Sequence, residues 1–110
     1  MTKTVLGGFE EIVLLSVLKL GADAYGVKIR QCVEEATERP TSVGAIYATL
    51  DRLERKGFVS SIKGEPTVKR GGRAKRYFKV NASGVQALNE AATIRNRMIL
   101  GRDFNLEIVR

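Results

Sequence analysis

Between Lys63 and Lys79 the chain gathers seven basic side chains, Lys63, Lys69, Arg70, Arg73, Lys75, Arg76 and Lys79, against one acid, Glu65. Cations at this density suit one kind of chemistry: they neutralise phosphate groups and release the counterions held there. The segment carries nearly all of the formal net charge of +7. Other chemistries lack their reagents. Histidine is absent, which removes the commonest general base and the commonest metal ligand. Cys32 is the one cysteine, so neither an intrachain disulfide nor a cysteine-based zinc site can form. No glycine-rich phosphate loop opens a helix, and no nucleophile stands at a useful spacing from a base. The expectation is a binding protein, not an enzyme, with no metal and no cofactor.

The 110 residues fit one domain, and 44% hydrophobic with 28% charged residues is a globular composition. A core of this size is commonly supplemented by a partner subunit. No apolar run reaches the roughly 18 to 20 residues of a membrane span. Glu10 and Glu11 stand where a signal peptide would be apolar, so a cytoplasmic location is expected. An anionic membrane surface is a poor alternative partner, because the positive block is not an amphipathic helix with a cationic face.

The elements that must position this charge follow from the periodicity. Phe9 to Leu20 lacks Gly and Pro and is apolar on most of its circumference, so it reads as a helix buried on more than one side. Gly21 is its natural stop. Tyr25-Gly26 opens a second helix to about Glu38, with Val27, Ile29, Val33 and Ala36 turned inward and Cys32 as a small core residue. Pro40-Thr41-Ser42 makes a short turn. Ser42 caps a third helix that runs to about Lys56 and stops at Gly57. Ile46, Leu50 and Leu53 fall at i, i+4 and i+7 and form its buried face. At 100° per residue, Gly44, Ala48, Asp51, Arg52 and Arg55 lie opposite, with Ala45 and Tyr47 on the flanks. Phe58 to Lys63 and Ala74 to Val80 have strand character, and the Gly-, Pro- and cation-rich segment between them reads as a hairpin tip. Asn81 is placed to cap a last helix to about Leu100. Its two apolar rows are Val85, Leu88, Ala92 and Ile99, and Ala87, Ala91, Ile94 and Met98.

Helix, helix, short turn, helix, basic hairpin, helix is the order of a winged helix-turn-helix followed by a last helix whose wide apolar stripe either covers the core or packs against a second subunit. The fold class is mainly α with a β-hairpin wing. The boundary is expected at residue 80, with residues 1–80 as the DNA-binding part and residues 81–110 as the dimerisation helix and tail, in one compact unit. A helix fits the major groove with its N-terminal residues at the base edges. Gly44, Ala45 and Ala48 would allow close approach there, and the capped N-terminus at Ser42 offers amides to phosphate. The expected DNA contacts are Lys28, Ser42, Gly44, Ala45, Tyr47, Ala48 and Arg52 on the helices, with Lys69, Arg70, Arg73, Lys75 and Arg76 in the wing. The expected dimer interface is Phe9, Val13 and Val17 on the first helix with Leu88, Ala91, Ala92, Ile94, Met98 and Ile99 on the last. Two copies would set their recognition helices about 34 Å apart, over a near-palindromic duplex operator. The alternative is a protein-interaction adaptor in which the basic wing is incidental.

These residues resemble the PadR family of bacterial transcriptional regulators, in its short form with a single C-terminal helix. The likeness runs from about Leu6 to Leu88. It rests on Ile12 to Leu18, on Ala24-Tyr25-Gly26-Val27-Lys28-Ile29, on Val43 to Val59 and on Gly71 to Val80. The resemblance implies a homodimer joined through the first and last helices. It also implies repression of a nearby operon, often relieved by a small molecule. By position, Tyr47 matches the recognition-helix tyrosine of the family, and Arg73, Lys75 and Arg76 match its basic wing. The chain departs from the family pattern at Ala48 and Ala74, where proline is usual, and at Asn81, where threonine is common. Its last helix carries no aromatic ring before Phe104 on which a flat drug could stack.

Overall fold

The computed structural model describes residues 6–64 and 75–100. Lys69, Arg70 and Arg73 lie outside the described residues. Helix α1 spans Gly8–Leu20, a 3-10 turn follows at Gly21–Asp23, and α2 spans Gly26–Thr37. Helix α3 is Val43–Arg55, strands β1 (Val59–Lys63) and β2 (Arg76–Val80) form an antiparallel hairpin, and α4 is Ala82–Ile99.

Local chemistry explains most of the boundaries. Glu10 reaches back to accept the Gly7 backbone N–H at 2.8 Å and so closes the start of α1. Gly21, at φ 58°, ends it in a conformation that suits glycine. Ser42 Oγ accepts the Ala45 N–H at 3.0 Å, which caps α3 as its sequence requires. At the other end Gly57 has φ 83°. There the Gly57 N–H donates to Glu54 O, and the Phe58 N–H donates to Leu53 O. That is a Schellman close with Phe58 folding back over Leu53, and both side chains enter the core.

Ile46, Leu50 and Leu53 are fully buried, together with Val13, Leu14, Ile29 and Val33. Phe78 of β2 completes the core beside them. The hairpin register pairs Val59 with Val80 and Lys63 with Arg76. A third segment joins the sheet unannounced by any periodicity. The Phe78 N–H donates to Ala24 O at 2.8 Å, and Tyr25 forms an isolated bridge with Tyr77.

Four expectations are corrected. Val27 is 49% exposed, and Ala36 is exposed, so α2 buries only Gly26, Ile29 and Val33. Cys32 is half-buried and lines a groove between α1 and α2 rather than the core. Asn81 begins α4 with extended backbone but no side-chain cap. Its amide instead donates to Gly57 O at 2.9 Å and accepts the Ser60 hydroxyl at 2.8 Å, tying α4 to the turn after α3. Val13 and Val17, expected at a subunit interface, are 0% and 1% exposed inside the protomer's own core, and Leu88 is also buried there. The apolar side chains that α1 leaves outside are Leu15 and Leu18.

Gly84 sits where α4 crosses the backbone of Phe58, and a methyl group there would collide with the Phe58 carbonyl oxygen. Gly84→Ala should cost about 1–3 kcal/mol by overpacking against rigid backbone. Gly8→Ala, which meets nothing within 4 Å, should cost almost nothing. Urea unfolding of the two variants checks the contrast.

Candidate nucleic-acid interface

With its apolar row in the core, α3 turns Gly44, Ala45, Ala48, Asp51, Arg52 and Arg55 outward. The first two turns of that face carry nothing larger than a methyl group, so a duplex could approach the helix backbone closely. Ser42 is exposed, with its hydroxyl engaged in the cap. Lys28 is exposed on the first turn of α2.

Tyr47 is half-buried and packs against the core. Its ring lies tilted against Phe78, with centroids 6.4 Å apart. Its hydroxyl fills the space that a side chain at position 26 would need, which is why Gly26 opens α2. The expected contact of Tyr47 with DNA is therefore restricted to whatever edge this packing leaves free.

The cations divide into two sets. Lys56 donates to both carboxylate oxygens of Glu10, at 2.9 and 2.8 Å. Arg52 donates to Thr49 Oγ1 at 3.2 Å, and its Nε lies 3.6 Å from Glu10, with 46% of the side chain exposed. Burial alone would raise the Glu10 pKa. The Lys56 hydrogen bonds, the Gly7 amide and the charges of Lys56 and Arg52 outweigh it and hold the carboxyl below its ordinary value.

Arg76, expected to grip phosphate, is held internally. It donates to Glu54 at 2.7 Å and lies 3.6 Å from Asp51, with its guanidinium 4.9 Å from the Phe78 ring centroid. Glu54 also accepts the Ser61 hydroxyl at 2.9 Å. Lys75 sets its ammonium 3.7 Å from the centroid of the Tyr25 ring, and Tyr25 meets Tyr77 edge-on at 5.5 Å. These two cations fasten the base of the hairpin to α3 and α2. The structure thus brings together the small start of α3, Arg52 and the base of the wing. It adds Glu10, Asp51, Glu54, Lys56 and Tyr25, which sequence reasoning had not placed in the site. Glu10 could have been suspected from its position in the first turn of α1, but its partner lies 46 residues away.

Among the described residues, no group of His, Cys, Asp and Glu could hold a metal ion, and no helix is long and apolar enough to cross a membrane.

The transcriptional regulator PadR-like family matches residues 14–90, which takes in the helix-turn-helix, the hairpin and the first half of α4. The chain belongs to the PadR-like family of transcriptional regulators. A PadR-like transcription factor from Bacteroides fragilis is 26% identical, with 82% of each chain covered and a TM-score of 0.71. RosR of H. salinarum is 24% identical over 94% of this chain and 86% of that chain, with a TM-score of 0.67. A PadR-family regulator from Eggerthella lenta is 21% identical over 82% of this chain and 76% of that chain, with a TM-score of 0.64. The last two likenesses show the shared fold. No curated protein sequence matches. As a PadR-like protein, the chain is a DNA-binding regulator of transcription and not an enzyme.

Two measurements check the internal pairs. A double-mutant cycle on Arg76→Ala and Glu54→Gln should give a coupling of about 0.5–1 kcal/mol, as expected for a half-exposed pair. Glu10→Gln should cost about 1–3 kcal/mol near neutral pH, because Lys56 loses a charged acceptor. Since the folded carboxyl has the lower pKa, its contribution is complete above the ordinary value of 4.5 and is lost as pH falls through the depressed one. The stability gap between wild type and Glu10→Gln should therefore shrink on acidification below 4.5, measured by unfolding across a pH series.

Proposed function

We propose that this PadR-like protein is a homodimeric, sequence-specific repressor of double-stranded DNA whose hold on a near-palindromic operator is relieved by a small molecule. The observation that carries the reading is the outer face of α3. Gly44, Ala45 and Ala48 give one face of its first two turns only small side chains, beside the exposed Val43, while Ile46, Leu50 and Leu53 hold the other side in the core. Such a helix can enter the major groove and read base edges along its N-terminal half. Lys28 and the partly free Arg52 flank it for backbone contacts.

The homodimer reading is supported by apolar surface that one protomer leaves open. Leu15 on α1 is exposed, as are Ile94, Met98 and Ile99 on α4, while Ala91 and Ala92 are half-buried. Phe9 is partly buried against the protomer's own core. In this reading α4, within the C-terminal part from residue 81, joins the copies, and residues 1–80 bind DNA.

The division of cations sharpens the wing. Lys75 and Arg76 serve the hairpin base, so phosphate contact falls to Lys69, Arg70 and Arg73. Changing these three to Ala should lower the slope of log affinity against log salt by about 2 to 3, as expected for three lost phosphate contacts. Ala48→Glu should abolish protection of specific bases in a footprint of the DNA upstream of the gene. Duplex binding that ignores both changes would sink the assignment of the wing and α3 as the DNA contacts, and duplex binding without a steep salt dependence would favour the protein-interaction adaptor. Ile94→Glu combined with Met98→Glu should turn the dimer into a monomer in sedimentation equilibrium.

A further inference from the structure

Aromatic residues are absent from α4 and gather instead around the hairpin and the start of α2. Beside them, at the end of α1, lies an open groove of about 430 Å³. Val17 and Leu18 form one wall, and Ile62, Tyr77 and Val80 of the hairpin form the other. Its volume is within the range of small-molecule sites. Ile62 is 65% exposed and Leu18 is 49% exposed, so both walls carry apolar surface that the protomer leaves uncovered. The one charged side chain in the lining is Lys79. Lys75, Arg76 and Lys56 are each held by an internal partner. The Lys79 ammonium, by contrast, has no ion pair or side-chain hydrogen bond among the described residues. No acid lines the groove.

We propose that this groove binds an amphiphilic anion, with an apolar body between Leu18 and Ile62 and a single carboxylate at Lys79. The charge complementarity selects this occupant: a neutral hydrocarbon would leave the cation unused, and a cationic amphiphile would meet Lys79 with repulsion. The apolar lining suits an alkyl chain or a single ring and offers little to a highly polar metabolite. The groove is lined by both strands of the hairpin, Ile62 of β1 and Tyr77 to Val80 of β2, so occupancy bears on how the hairpin sits against α1. That consequence rests on the reading of the chain as an effector-controlled repressor; the binding does not.

Decanoate, kept below its micelle concentration, is the probe. The protein without DNA is titrated by calorimetry and by methyl-resolved NMR, with decanol and decyltrimethylammonium as controls. Decanoate should saturate the protein and shift the methyl signals of Leu18, Ile62 and Val80, while decyltrimethylammonium should bind far more weakly. Lys79→Ala should weaken decanoate about fivefold, the upper end for an exposed ion pair, and leave decanol unchanged. Ile62→Glu, at an exposed position that should not disturb folding, should remove binding of both. The proposal is overturned if decanoate does not saturate, if Lys79→Ala leaves its affinity unchanged, or if the shifts centre on α4. It is equally overturned if Ile62→Glu converts a dimer to a monomer in sedimentation, because a second copy would then be the occupant. Operator affinity is read separately. Binding without any change in that affinity supports the site and removes this ligand class from the repressor reading.

Discussion

The rotation of α3 about its own axis is the constraint on which the rest of the structure depends. A helix that is to read a groove must show one face and hide the other. Burying Ile46, Leu50 and Leu53 is worth about 1.5–3 kcal/mol for each side chain. A surface ion pair contributes about 0–1 kcal/mol. The core therefore sets which face of α3 looks outward, and the polar contacts only refine it. The Ser42 cap and the Schellman close at Gly57 then fix where the helix starts and stops. Glu10 works at the next level. Its low exposure and its two short contacts with Lys56 tie the end of α3 to the start of α1 and limit how far α3 can slide.

Charge in this protein is partly structural and partly free, and net charge alone cannot separate the two. Arg76 is paired with Glu54 and Asp51, so its charge is compensated within the protein, whereas that of Lys79 on the same strand is not. Lys56 is likewise neutralised by Glu10. Asp51 lies on the outer face of α3, half a helix beyond Gly44, and would repel phosphate if Arg76 did not sit against it. The arrangement compensates Asp51 within the protein and leaves Arg52 and Arg55 exposed on the same face, while the N-terminal half of α3 carries the positive end of the helix dipole.

What could be read from the sequence had a local physical signature. A row at i, i+4 and i+7, a serine before it and a glycine after it define α3 without reference to the rest of the chain. The hairpin was legible for the same reason: β-prone runs flank a segment rich in Gly, Pro and charge. What escaped was non-local or degenerate. Helix α1 is apolar nearly all round, so periodicity could not say which side meets its own core, and Val13 and Val17 were assigned to the wrong contact. The Tyr25–Tyr77 bridge is a single residue pair with no pattern. Asn81 looked like a cap because its type and position suit one, but a Gly57 carbonyl and a Ser60 hydroxyl lay within reach and claimed its amide. In the site, the bare start of α3 was legible from residue size alone. The internal capture of Arg76 was not, because its acids belong to another element 22 residues away.

Glu10 and Glu11 link α3 and α4 through one turn of α1. They are consecutive residues in the first turn of α1. Glu10 is bonded to Lys56 at the end of α3, and Glu11 is bonded to Arg95 in the second half of α4. The side chains lie 100° apart around α1, so one short stretch of backbone holds α3 on one side and α4 on the other. In the proposed dimer, the packing of α4 against its partner sets the distance between the two copies of α1. Because α1 and α3 share one core, that distance also bears on the distance between the two copies of α3. In that reading a shift at the dimer contact would carry α1 and the α3 packed on it together. An operator with half-sites one helical turn apart senses that movement directly, because the base contacts of both helices must be satisfied at once.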